Sequence, residues 1–368
     1  MIKRIGKFWT VILALVTFMA VMLILASICT PFADFYVGTV YPVLMNISAI
    51  PSLLPISLGE IIIIALVAVL IIGVIVFAPL MIILKTKRRT VLKIYARVIS
   101  ACTVAIMLPM TLNCLMMYKA SSFSEKYFAQ ANVDEELSIE VYKMLAEKLN
   151  ELENQVLRDE HGFFVLSDDL HENAKQSMKN ISGEYEQLEG FYPNPKPIIN
   201  SFWLSQESLT GIFLPFTLEA NYNKDMCDIN KPFTVCHELA HLKGVISEDE
   251  ANFIAFIACI NSQSVDFQYC GYLSAMEYFL SYTNVSEICF GVMIDDDVWN
   301  DMFRFLPETY WEENEEKEII PTEVVETVAD VANDTYLKIN GEEEGVETYS
   351  KMVDLILEYY SVNPIENQ

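Results

Sequence analysis

The chain has 368 residues, with 50 acidic against 24 basic side chains, a formal charge of −26, and 53% of it is apolar. So acidic a balance disfavours nucleic acid as a partner. Composition divides the chain more sharply than its length does: residues 1–119 hold ten Lys/Arg and two Asp/Glu, leaving 14 basic and 48 acidic residues in 120–368.

Three apolar runs, at 8–29, 61–84 and 94–118, are each long enough to cross a hydrocarbon layer of about 30 Å as a helix. The first follows Lys3, Arg4 and Lys7, but it is longer than a signal-peptide core and two more spans come after it. It therefore reads as an uncleaved anchor. Lys85, Lys87, Arg88, Arg89 and Lys93 lie between the second and third runs. Basic residues collect on cytoplasmic flanks, so the N-terminus and this loop are expected inside the cell. The loop at 30–60, whose only charges are Asp34 and Glu60, is expected outside, as is everything after the third span. The expected organisation is a membrane domain at 1–119, with the lipid bilayer as its partner, and an extracytoplasmic domain at 120–368.

Residues 121–157 are rich in Glu, Lys, Ala and Leu, with Leu137, Val141, Leu145 and Leu149 at four-residue spacing, which predicts one or two amphipathic helices. His161 and His171 sit among acidic residues without ligand spacing and read as surface histidines. A turn at 193–197 leads to GIFLPFTLEANYN at 211–223, which looks extended. Its first part (Gly211, Ile212, Phe213, Leu214, Pro215, Phe216) contains a proline that only an edge strand tolerates. Two uses are open for it: pairing with an extended peptide substrate, or capping the domain as a structural strand.

The stretch TVCHELAHLKGVISEDEANFIAF follows at 234–256. His237, Glu238 and His241 form H-E-x-x-H, which on a helix puts both imidazoles one turn apart on one side, within reach of one zinc ion. A catalytic zinc site takes three protein ligands and keeps a position open, so a third ligand is required. Glu248 is the candidate: Lys243 and Gly244 stop the first helix, Ser247 is placed to cap a second, and Glu248 opens it. Glu250 is the alternative, although Ser247-x-x-Glu250 also fits a capping box. Asn252, one turn after Glu248, is placed to hold an imidazole or the ligand carboxylate from outside the coordination shell. Cys236 adjoins His237, but neighbouring helical residues point about 100° apart.

A helix is expected over 248–262, then an aromatic helical segment with Tyr272 and Tyr278. A solvated acidic loop is expected at 308–318, and two helices, 322–338 and 346–360, around Asn-Gly-Glu-Glu-Glu-Gly. Five cysteines (227, 236, 259, 270, 289) follow the spans, an odd number that leaves at least one unbridged within the chain. Sequons occur at Asn46, Asn180, Asn284 and Asn333, and there is no phosphate-binding glycine loop or G-x-S-x-G elbow.

Tyr41-Pro42, PISLGE at 55–60, and the stretches 211–223, 232–256 and 333–357 together give the chain a resemblance to an uncharacterised family of bacterial integral-membrane proteins with an H-E-x-x-H motif. In addition, Glu248-x-x-Ala251-Asn252-x-x-Ala255 is similar to the E-x-x-A-D/N helix of gluzincin membrane proteases, such as the prenyl-protein proteases, and of the phage-repressor-cleaving metallopeptidases. That likeness implies zinc ligation by Glu248 and a supporting role for Asn252. Only six residues separate His241 from Glu248, a short gap, and His241-x-x-Gly244 resembles the metzincin turn, whose third histidine would fall at Ser247. Serine is a poor zinc ligand.

Together these readings predict a mainly α protein: three transmembrane helices, then a mostly helical, zincin-like domain with a small β element before the H-E-x-x-H helix. The function expected is a membrane-anchored, Zn2+-dependent metallopeptidase that cleaves peptide or protein substrates at the outer membrane surface, with Glu238 as general base. The rival is a non-catalytic anchored module with a structural zinc site or a protein-binding scaffold.

Overall fold

An apolar run that must satisfy its own backbone polar groups in lipid becomes a helix. In the computed structural model, which describes residues 6–128, 135–282, 294–303, 305–340, 349–363 and 365, the first run is α1 (Lys7–Ile28). The connection that follows is helical rather than an open loop. It comprises α2 (Thr30–Phe35), a π turn at Tyr36–Val40, α3 (Tyr41–Met45) and two 3-10 turns at Asn46–Ala49 and Pro51–Leu53. The second run is α4 (Leu58–Ile83) and the third is α5 (Arg88–Met110), which continues through a π turn at Thr111–Leu115. Three helices are thus long and apolar enough to cross a membrane. Along α4, Val67, Leu70, Ile71, Ile72, Val74 and Ile75 face outward. A row of that kind suits acyl chains, not water.

The chain divides into two compact units, Met1–Ala120 with Leu214–Glu219, and Ser121–Phe213 with Ala220–Gln368. One division falls between Ala120 and Ser121, and the turn at 214–219 belongs with the first unit. There the Glu219 carboxylate accepts from Leu58 N (3.1 Å) and Gly59 N (2.7 Å) at the start of α4, and Asn113 Nδ2 donates to the Pro215 carbonyl (2.7 Å). An acidic group at a helix N-terminus satisfies donors that have no partner within the helix.

In the second unit α6 (Phe123–Tyr127) and α7 (Glu135–Leu152) lie where one or two helices were expected, and Val141, Leu145 and Leu149 of α7 are fully buried. The helix α8 (Leu170–Ser182) lies where sequence reading found only acidic residues and histidines; Asp169 caps it by accepting from Glu172 N (2.9 Å). Strand β1 (Lys196–Ile198), the short α9 (Ser201–Gln206), β2 (Gly211–Leu214) and β3 (Glu219–Asn223) follow. The sheet order is β1-β3-β2, with β1 and β3 parallel and Lys196 opposite Asn221. β2 is therefore an edge strand. Pro215 and Phe216 lie beyond its end, in the turn, because a proline in the strand would remove a ladder donor.

Helices α10 (Lys231–Leu242), α11 (Glu248–Ile260) and α12 (Val265–Tyr282) pack on α7, α8 and the helix Tyr349–Val362. Phe253, Phe256, Phe267, Tyr269 and Phe279 fill the space between them. The acidic run at 308–318 is not a loop but a helix at Glu308–Glu313 and a 3-10 turn at Glu315–Lys317. Tyr310 and Trp311 give it an anchored side, against Phe202 and, through the Tyr310 hydroxyl, Asp225. Among the described cysteines none is bridged; Cys289 and Asn284 lie outside the described residues, as does most of the 340–345 connection.

Candidate metal centre

Helix α10 starts from Asn230 with Pro232 in its first turn and is buried on nearly every side, with Val235, Cys236, Leu239, Ala240 and Leu242 fully enclosed. A helix held that firmly fixes the direction of its remaining side chains. His237 and His241, four residues apart, share one face, and their ring centroids are 4.4 Å apart.

The end of α10 does more than stop it. Gly244 takes a left-handed conformation (φ 84°), Gly244 N donates to the His241 carbonyl (2.9 Å) and Val245 N to that of Ala240 (3.3 Å). This pair of bonds is a Schellman cap, and it turns the Val245 carbonyl back toward the helix, 2.8 Å from His241 Nδ1. A carbonyl only accepts, so Nδ1 carries the hydrogen and the Nε2 lone pair of the neutral ring is left for another partner.

That partner comes from the first turn of α11. Glu248 Oε2 lies 3.2 Å from His237 Nε2 and 3.6 Å from His241 Nε2. Among the described residues these three side chains form the one group whose ligand atoms all lie within 4.8 Å of one another. Electrostatics follow the geometry. Burial disfavours a charge on His241, but the Glu248 carboxylate overrides it and pushes the ring up to about 9. His237 is lowered, by burial and then by the adjacent His241. Burial would raise Glu248, yet the two imidazoles hold it well below the usual carboxylate range. The Glu248 side chain is still 45% exposed, so one side of the cluster is open to solvent.

Glu250 takes no part. Its carboxylate accepts from Phe123 N (2.8 Å) and Ser124 N (2.7 Å), at the start of α6. The capping box with Ser247 does not form either: Ser247 holds the cap position with an extended backbone but makes no side-chain cap bond. Two free backbone donors of another helix outcompete the single local one. Asn252 lies beside His237 and donates to the Tyr278 hydroxyl (2.8 Å). Cys236 points into the core beside Cys259, away from the imidazoles. Tyr272 is buried against Phe256, His161 is exposed, and His171 is not at the surface but half-buried against the Tyr222 hydroxyl (3.2 Å).

Glu238 is buried on the same helix, with no partner for Oε2, and burial lifts its carboxyl to about 8. Above it runs β2. A methyl group added at Gly211 would overlap Glu238 Oε1 and come within 2.8 Å of Glu238 Cγ and of Thr234 Cγ2. From the sequence, Gly211 opens an extended stretch that either pairs with a substrate or caps the domain, with no contact to Glu238 implied. The signal for its contact was there, since a glycine in a strand often marks close approach by another group.

The donor set suits zinc. Two imidazole nitrogens and one carboxylate oxygen converge, the bond at Nδ1 fixes one ring's tautomer, and the buried His237 Nδ1 and Glu238 Oε2 have no hydrogen-bond partner. A family profile described as "Protein of unknown function (DUF3810)" matches residues 36–357. No curated protein and no solved structure matches the chain.

Proposed function

The chain belongs to the DUF3810 family, and from that premise, which carries no activity of its own, we propose that it is a membrane-anchored zinc metallopeptidase of the H-E-x-x-H type. The observation that carries this reading is the convergence of His237, His241 and Glu248 beside a buried, unpartnered Glu238 carboxylate. His237, His241 and Glu248 hold the ion. When bound, zinc supplies a Lewis acid that draws the pKa of water toward neutrality and polarises an amide carbonyl. Glu238 takes the proton from the attacking water and returns it to the leaving nitrogen. The orienting bond from His241 to Val245 and the amide of Asn252 keep the ligands in place.

β2 is the strand suited to hold an extended substrate: it is at the sheet edge and begins at Gly211, against Glu238. The basic residues at 85–93 favour a cytoplasmic loop between α4 and α5, so that three crossings leave the catalytic unit outside a bacterial cell, facing peptides or proteins at the membrane surface. A structural zinc staple would call for a fourth protein ligand, and among the described residues the cluster supplies three. Comparing the peptides released from membranes carrying the wild-type protein with those from a Glu238→Gln variant tests the peptidase reading. A set of products lost in the variant supports it; identical profiles refute it.

Two further results are expected. In the metal-free state His241 and Glu238 carry protons at neutral pH, and neither protonated form serves a zinc site. Zinc uptake at pH 7 should then release about one to two protons. Because the proton competes below the raised pKa of His241, affinity should climb with pH from 7 toward 9. Calorimetry in buffers of different ionisation enthalpy measures this, and binding without proton release would contradict the site as described. Gly211→Ala forces Glu238 and Thr234 aside, with an overpacking cost of about 1–3 kcal/mol. It should keep zinc, since no ligand is touched, but lose most turnover. Unchanged kcat with a bound ion would mean that the contact with β2 does not position Glu238.

A further inference from the structure

The helical connection between α1 and α4 is almost without charge and carries large apolar side chains on its outer side as well as its inner one. From residue 8 to residue 59 the only charge is Asp34. Across 30–56 the buried positions are Ala33, Tyr36, Val37, Tyr41, Met45, Ser48 and Pro51, while Phe35, Val43, Ile47, Ile50 and Leu53 point outward at roughly helical spacing, between 55% and 84% exposed. Its backbone is equally suited to an apolar surrounding. Successive α, π and 3-10 turns satisfy most of its donors internally, and Pro31, Pro42 and Pro51 all stand in first turns, where no intrahelical donor is lost.

Both ends of this segment are tied to one end of α5. Near its start, the Tyr36 hydroxyl donates to the Leu112 carbonyl (2.9 Å). At its finish, Leu58 N and Gly59 N are held by Glu219, four residues from Pro215, whose carbonyl accepts from Asn113. Leu112 and Asn113 are consecutive, so the chain returns to the side from which it departed. Only Cys29 separates this segment from α1, whose last turns also leave Ile24 and Ile28 exposed.

We infer that residues 30–56 form a lipid-embedded, non-crossing element, with Phe35, Val43, Ile47, Ile50 and Leu53 in the acyl layer of one leaflet. The chain then has three crossings and one monotopic insertion, and the occupant of the apolar row is lipid. The inference does not depend on the metal site.

Nitroxide labels test it on the full-length chain in phosphatidylcholine–phosphatidylglycerol vesicles, with Cys29, Cys102, Cys227 and Cys289 replaced by serine. Single cysteines at Val43, Ile47, Ile50 and Leu53 are compared with a lipid reference at Val74 and a water reference at Glu160. The expected result is preferential collision with oxygen over a nickel chelate at all four positions, as at Val74 and opposite to Glu160. Preference for the chelate at Ile47 and Ile50 would overturn the inference. Exclusion of both relaxants with spin–spin broadening would also do so, in favour of a second copy covering the row. A steady passage of depth from one leaflet to the other between labels at Phe35 and Leu53 would replace the insertion with a fourth crossing.

Discussion

Replacing His237 by alanine is expected to leave the protein folded but almost without zinc. The helix that carries it is fixed by Val235, Leu239, Ala240 and Leu242, all fully buried, and by the cap at Gly244. His237 adds little to that scaffold, since its Nδ1 has no hydrogen-bond partner and its polar neighbours are Glu248 and Asn252 of the next helix rather than the core. Removal of the ring therefore takes away one of three donors rather than a piece of the core. Affinity should fall by more than the roughly 10–100-fold that loss of an outer hydrogen-bonding partner causes. Elemental analysis after equilibration in a zinc buffer measures the loss, and a thermal melt by circular dichroism shows that the variant is folded. Zinc retained at the wild-type level would remove His237 from the ligand set.

Glu238→Gln should do the opposite: zinc stays and turnover falls by about 10²–10⁴-fold. The amide has nearly the shape of the carboxylate, so the close contact with Gly211 is preserved and the helix is not repacked. What is lost is a group that accepts a proton. In the metal-free site burial keeps this carboxyl protonated to about pH 8, and a divalent cation nearby favours its ionised form. An ion held by His237, His241 and Glu248 would therefore also favour the form of Glu238 that accepts a proton. A variant with full zinc and undiminished turnover would exclude Glu238 from catalysis and leave the metal a structural part. Loss of zinc as well would instead show that Glu238 holds the ligand helix in place.

Much of the candidate site was legible because its signals are local. Two histidines at i and i+4, a glycine to stop one helix and an acidic opening to the next all fall within a few residues of one another, and the fold brings together what the spacing brought together. The three spans were legible for a similar reason, as each is one continuous apolar run. What escaped the sequence depends on partners far along the chain. Glu250 caps a helix at Phe123 and Ser124, more than 120 residues away, and no spacing rule reaches that far. Gly211 and Glu238 meet only because β2 runs over α10. His171 read as a surface residue until Tyr222, 51 positions on, came up against it. The connection at 30–56 reads from the sequence only as an outside loop, and its helical form shows in the structure, where each proline stands at the start of a turn and ends nothing.

Zinc-edge X-ray absorption on the purified full-length protein, loaded with one equivalent of zinc at pH 8, addresses the metal centre most directly. The predicted spectrum has two imidazole rings in the scattering pattern, a first shell of nitrogen and oxygen at about 2.0–2.1 Å, and no sulfur. It should lose one imidazole in His241→Ala and keep its shell in Glu250→Ala. A sulfur shell near 2.3 Å, or zinc that exchanges with a weak chelator as readily as free ion does, would contradict a three-ligand site built from His237, His241 and Glu248.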